Sequence, residues 1–166
     1  SDDNAPQFAL SNSKATDWTF KTKISKVNYN NGVSLAGITA FHNEDDYVIA
    51  ARSKSDGKNL LVFGKIFGGK LQLIATVEDK EPKNDVIIQL QKSNCFYSAV
   101  YSYDGEKWYP IGDKFYSNYS GVSAGLFALN SSAQFDYACY GDSINDNKST
   151  NTPMALNEIH TGIDRY

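Results

Sequence analysis

Of the 166 residues, only two are cysteine, two histidine, one methionine and four proline. Each scarcity removes a class of chemistry. Cys95 and Cys139 are too few for a disulfide-stapled scaffold and form no Cys-x-x-Cys pair. They leave two readings open, one bridge or two separate buried thiols, and the second is favoured because cysteine is among the most often buried side chains. His42 and His160 are far apart in sequence, so a zinc-ligand spacing is missing. No apolar run approaches the ~20 residues of a membrane-spanning helix, and no membrane association is expected. The opening Ser1-Asp2-Asp3-Asn4-Ala5-Pro6 has neither the basic nor the apolar part of a leader peptide, which suggests a mature or excised module. The formal net charge is −3 with lysines and arginines scattered, so there is no basic footprint for nucleic acid.

What is abundant is aromatic: 13% of the chain, including eleven tyrosines. The length suits one domain with a core of its own, expected to be a monomer. Period-two alternation predicts strands at Asp17–Val27, Leu35–Phe41, Asp46–Lys54, Asn59–Phe67, Leu71–Glu78, Asp85–Gln91, Cys95–Tyr103, Lys107–Ile111, Val122–Leu129 and Ala133–Tyr140. Between them stand Asn30-Asn31-Gly32, Ser55-Asp56-Gly57, Gly68-Gly69, Asp104-Gly105 and other turn signals. No window keeps a helical period for three turns. The fold class is therefore all-β, an antiparallel β-sandwich, over residues 14–141. Residues 1–13 read as an N-terminal extension and 142–166 as a linker-like tail in which Met154–Ile159 has room for one helical turn.

The stretch Val100-Tyr101-Ser102-Tyr103-Asp104-Gly105-Glu106-Lys107-Trp108 reads as a β-hairpin, because Asp-Gly supplies the positive φ of a tight turn. Together with Ala124-Gly125-Leu126-Phe127-Ala128 and Phe135-Asp136-Tyr137, it resembles the pattern of concanavalin A-like (jelly-roll) sandwich modules attached to bacterial polysaccharide-degrading enzymes. The nearest resemblance is to the C-terminal domain of family 43 glycoside hydrolases of the β-xylosidase and arabinofuranosidase type, over roughly Trp18 to Tyr140. The resemblance implies a secreted, extracellular bacterial enzyme and a catalytic domain in the same polypeptide. It also implies that Trp108 packs in the core.

Glycoside hydrolysis needs a pair of carboxylates flanking a cleft, one with a raised pKa. Nearly all nineteen acidic residues fall in predicted turns, and only Asp136 is embedded in a strand, so a catalytic role is not expected. Saccharide binding is the stronger expectation, since sugars offer apolar C–H faces to rings and hydroxyls to polar groups. Alternation puts Tyr97, Tyr101 and Tyr103 on one strand face, and Arg52 on a face otherwise made of small apolar residues. Arg52 must find a carboxylate, backbone or ligand partner. One reading pairs it with a neighbouring acid; the other makes Arg52 and Tyr101 one ligand site on an exposed sheet face, with Tyr103 and Tyr97 as further ligand candidates and the loop carrying His42 and Tyr47 as the alternative location. The partner expected is a plant polysaccharide or oligosaccharide. Related modules hold a structural calcium, which makes Asp136 a candidate ligand, against a plain hydrogen-bonding role for its carboxylate. Two functions thus stand side by side: a non-catalytic carbohydrate-binding module, and a structural accessory domain packing on a catalytic domain.

Overall fold

The computed structural model describes residues 6–12 and 14–141 and the backbone of 152–153 and 159–160. Two antiparallel sheets face each other. The six-stranded sheet runs β1 (Gln7–Leu10), β11 (Ser123–Leu129), β3 (Ser34–Asn43), β4 (Asp46–Ser55), β5 (Lys58–Phe67) and β6 (Lys70–Glu78) in spatial order. The eight-stranded sheet runs β10 (Phe115–Tyr116), β8 (Phe96–Ser102), β7 (Val86–Ser93), β2 (Asp17–Tyr29), β12 (Ser131–Gly141) and β13 (Thr152–Pro153). To it, β9 (Tyr109–Pro110) adds beside β8 and β14 (Ile159–His160) beside β12.

The ten strands expected from alternation are all present in this two-sheet sandwich, and the departures have local causes. Gln7–Leu10, expected as part of an extension, pairs with Gly125–Ala128 as an edge strand. Two residues at Phe115–Tyr116 pair with Phe96–Tyr97, a contact too short to show a period. The helical turn expected at Met154–Ile159 lies outside the described residues except for Ile159, which is in β14. Cys95 and Cys139 are separate thiols, as favoured, but half-buried instead of buried.

The shared core is built by one face of each strand. In β2 the residues Trp18, Phe20, Thr22 and Ile24 point inward, and in β7 Val86, Ile88 and Leu90 do. The six-stranded sheet contributes Ala36, Ile38, Val48, Ala50, Leu61 and Phe63. Its strands β3 and β4 are buried on both faces, because the opposite side carries a second apolar cluster of Leu35, Tyr47, Ile49, Val62, Ile66 and Phe127. A Cβ at Gly37 would collide with the Ala50 carbonyl, so only glycine permits this approach of β3 to β4. The β4–β5 hairpin turns on Asp56 (φ 50) and Gly57 (φ 77), the pair of positive φ values that matches strand twist in a two-residue loop.

The hairpin after β8 is held by Asp104, whose carboxylate accepts the amides of Glu106 (2.8 Å) and Lys107 (2.9 Å) and the Ser102 hydroxyl (3.1 Å). Those amides, Lys107 first, hold its pKa below the usual carboxylate range. Trp108, expected in the core, is 36% exposed, because the chain is still in the loop there and rejoins the sheet only at Tyr109. The core tryptophan is Trp18, fully buried and packed 6.4 Å from Tyr140.

Two outcomes follow from this packing. Trp18→Ala or Phe135→Ala should lower the unfolding free energy by about 3–5 kcal/mol, while Trp108→Ala should cost well under half of that, as measured by urea denaturation. Burial raises the hydroxyl pKa of Tyr47 to about 12 and that of Tyr97 further, against 10.0 in a free tyrosine. These groups resist ionisation in the fold and ionise readily once unfolded. The contribution of these hydroxyls to stability should therefore be level below pH ~10 and fall as pH rises through 12, and Tyr47→Phe should lessen the fall.

Candidate functional site

The residues singled out from the sequence fall in separate places. Arg52 follows Val48 and Ala50 on the core face of β4, so its side chain enters the sandwich and is only 2% exposed. There it donates from Nε to Asp79 (2.6 Å) and from Nη2 to the same carboxylate (3.3 Å) and to the Glu81 carbonyl (2.8 Å). The Tyr103 hydroxyl donates to Asp79 (2.7 Å) and accepts from the Lys80 amide (3.0 Å). Burial, then the bond to Asp79, pushes the Tyr103 pKa well above its ordinary value. Tyr29 is raised likewise, by burial first, with Arg52 working against it. Tyr101 lies edge-on to Tyr103 at 5.7 Å, and its pKa is raised by burial and then by Tyr109.

Arg52, Tyr101 and Tyr103 thus gather at one end of the sandwich, but the exposed sheet face expected for them is an interior face. The alternation was correct and its polarity reversed: the tyrosine-rich side of β8 is the core side, with Tyr97 fully buried. The guanidinium is already spent on Asp79 and Glu81. This is the carboxylate partner of the first reading, in a closed interior instead of on an open face. Tyr47 is also interior, 2% exposed among Phe8, Phe41 and Phe127 on the other side of the six-stranded sheet.

His42 is exposed. Its ring stacks on Tyr119 at 5.6 Å and 5°, with Nδ1 2.8 Å from the Ser120 carbonyl. Tyr119 donates to the Ile66 carbonyl (3.1 Å), and the Lys65 ammonium lies 5.9 Å from its ring and 5.2 Å from that of Phe67. In the adjoining acidic loop, the Asp46 carboxylate accepts the Gly68 amide (2.9 Å) and so caps the next hairpin. Asp136 is exposed, in the irregularity of β12 where Phe135 pairs with Ile24 and Tyr137 with Lys23. Among the described residues no three His, Cys, Asp or Glu side chains are grouped to hold a metal ion.

The alternation that sends the tyrosines inward sends Phe96, Ser98 and Val100 outward, together with Gln89 and Gln91 of β7. Phe96 is 46% exposed and Tyr116 58%, their rings 5.7 Å apart and edge-on, with the Lys114 ammonium 5.3 Å from the Phe96 centroid. Beside them is a depression of about 280 Å³ lined by Gln91, Ser93, Asn94, Phe96, Tyr97, Ser98 and Lys114. Exposed rings beside amides and hydroxyls are the pairing that a saccharide requires. A roomier depression of about 580 Å³ over Lys58, Asn59, Glu78 and Lys80 presents no aromatic ring. Sequence reasoning passed over Phe96 because its face holds one aromatic against three on the other; the signal was the Gln89, Gln91 alternation in β7, which marks that side as solvated.

The chain belongs to the family of the beta xylosidase C-terminal concanavalin A-like domain, whose model matches residues 1–141. Among solved structures it resembles the GH43 BlXynB protein from Bacillus licheniformis, with a TM-score of 0.67 and 14% identity over 81% of this chain and 29% of that one. The xylan beta-1,4-xylosidase from Bacillus halodurans C-125 gives 0.64 and 15% over 80% and 29%. A functionally unknown protein from Saccharomyces cerevisiae gives 0.56 and 14% over 78% and 71%. At these identities the likeness is one of fold, and the chain spans less than a third of the length of the two Bacillus proteins. No curated protein matches.

The Arg52–Asp79 pair makes its own expectation. Asp79→Ala strands a buried guanidinium and should cost about 3–5 kcal/mol, whereas Arg52→Met with Asp79→Leu should restore most of it. Thermal and urea unfolding of the two variants beside the wild-type chain would show this.

Proposed function

We propose that this chain is a non-catalytic, carbohydrate-binding module of an extracellular bacterial polysaccharide-degrading enzyme, acting beside a glycoside hydrolase catalytic domain of the same polypeptide. Membership in a family of xylosidase C-terminal domains supports the attachment. The observation that carries the binding role is the exposed Phe96 and Tyr116 pair beside a depression lined with amide and hydroxyl groups. A non-catalytic role is supported by the state of the carboxylates. Asp79 is the buried one among the described residues, and its oxygens are occupied by Arg52 and Tyr103 in the interior, away from any substrate.

A second role, packing on the catalytic domain, is favoured by one specific feature. On the edge strand β6, Leu73 (46% exposed) and Ile74 (45%) stand open, neighbouring apolar side chains suited to an interdomain contact. The two roles use different sheets and are compatible.

Affinity electrophoresis and calorimetry against xylans, arabinans, pectins, β-glucans and fructans should show retardation by at least one polymer, with Kd in the micromolar-to-millimolar range expected of a small open site. Long incubation should release no reducing sugar. Release that disappears on mutating a carboxylate would contradict the non-catalytic reading, and retardation by none of the polymers would contradict the binding one.

A further inference from the structure

The outward side of the eight-stranded sheet is ordered in cross-strand rows. Phe96 pairs with Ser93 and Ser93 with Asp17; Ser98 pairs with Gln91 and Gln91 with Thr19; Val100 pairs with Gln89 and Gln89 with Lys21. Tyr116 pairs with Phe96 and extends the first row onto β10. The residues of β2 and β7 in these rows are half-buried. The side chains of Thr19, Gln89, Gln91 and Ser98 make no hydrogen bond to another described residue, whereas the Asp17 carboxylate takes the Asn94 amide at 2.7 Å. Two glutamines each present two donors and an acceptor with no partner among the described residues, on a surface flanked by exposed rings. Neighbouring strands are about 4.8 Å apart, so from β10 to β2 the face spans about 14 Å.

We propose that this face is a saccharide track that holds an internal segment of a polysaccharide across β10, β8, β7 and β2. Phe96 and Tyr116 take the C–H face of a sugar ring at one end. Gln91, Gln89 and Ser98 exchange hydrogen bonds with hydroxyls further along. The depression beside Phe96 is lined mostly by residues of β7 and β8, with Asn94 from the turn between them and Lys114 from the segment before β10, so most of its lining is the sheet itself. A ligand therefore continues along the rows instead of ending against a loop. The inference rests on the polysaccharide-binding reading above and adds to it the surface, the contact residues and recognition within the polymer instead of at its terminus.

The test uses the whole chain, the polymer that retards it best, and oligosaccharides of that polymer in increasing length. Affinity should rise with length until the ligand covers about 14 Å and then level off, and reducing the terminal sugar to its alditol should leave it unchanged. Phe96→Leu and Gln91→Ala should each weaken binding about tenfold with the thermal midpoint kept; if Phe96→Leu does not fold, Gln91→Ala and Gln89→Ala decide. Wild-type affinity in every folded variant would overturn the site. Monosaccharide binding as tight as the polymer, or loss of binding on alditol formation, would overturn internal recognition. Failure of the wild-type chain to bind any polymer is a separate outcome that removes the broader reading and this one with it.

Discussion

One buried ion pair fixes which way this sandwich faces. Arg52 lies at the end of an inward row, after Val48 and Ala50, where an unpaired guanidinium is untenable. Its partner comes from the segment after β6: Asp79, held by its amide on the Asn59 carbonyl (2.9 Å), brings both carboxylate oxygens to the guanidinium, and the Glu81 carbonyl takes a third bond. That segment is thereby drawn across the end of the sandwich before β7 begins. The Tyr103 hydroxyl completes the shell of Asp79, so the tyrosine side of β8 turns inward with it. A charge pair of this kind adds little net stability over apolar packing, but its geometric demands are strict, and here they join β4, β8 and the β6–β7 connection.

With the tyrosines committed inward, the faces of the two sheets differ in character. The outer side of the six-stranded sheet is apolar, with Leu35, Ile49 and Phe127 fully buried or nearly so. The outer side of the eight-stranded sheet carries Thr19, Lys21, Lys23, Gln89, Gln91 and Ser98, fringed by Phe96 and Tyr116. A sugar needs few rings and several fixed polar groups, so the second surface suits it and the first does not. Under the proposed accessory role, the exposed Leu73 and Ile74 on β6 would let another domain rest on the six-stranded sheet. Such a division of labour between the sheets would make the two proposed roles compatible.

The strands were legible because alternation over ten or so residues is a strong signal, and the Asp56-Gly57 and Gly68-Gly69 turns punctuate it. Family membership was legible in the Asp104-Gly105 hairpin and the Ala124–Ala128 and Phe135–Tyr137 motifs. What alternation does not encode is which of two faces is inside. Tyr97, Tyr101 and Tyr103 are amphipathic, and only the pairing of Tyr103 with Asp79 and of Tyr97 with Phe115 decides their direction. Arg52 was rightly marked as a side chain needing a partner, but Asp79 lies 27 residues away, beyond the reach of local pattern. Trp108 was misplaced for a local reason, since the Asp104-capped loop runs past it. Phe96 needed the register to β7 before it could be seen beside Gln91 and Ser98.

The central claim is that saccharide meets the polar face of the eight-stranded sheet. An NMR titration of the labelled chain with a bound oligosaccharide tests it most directly, following side-chain amides and backbone signals together. The side-chain amides of Gln89 and Gln91 and the backbone signals around Phe96 should move in step with saturation, while those around Tyr47 and Arg52 stay still. Shifts confined to the His42–Tyr119 end or to the six-stranded sheet, with Gln89 and Gln91 unmoved, would contradict it.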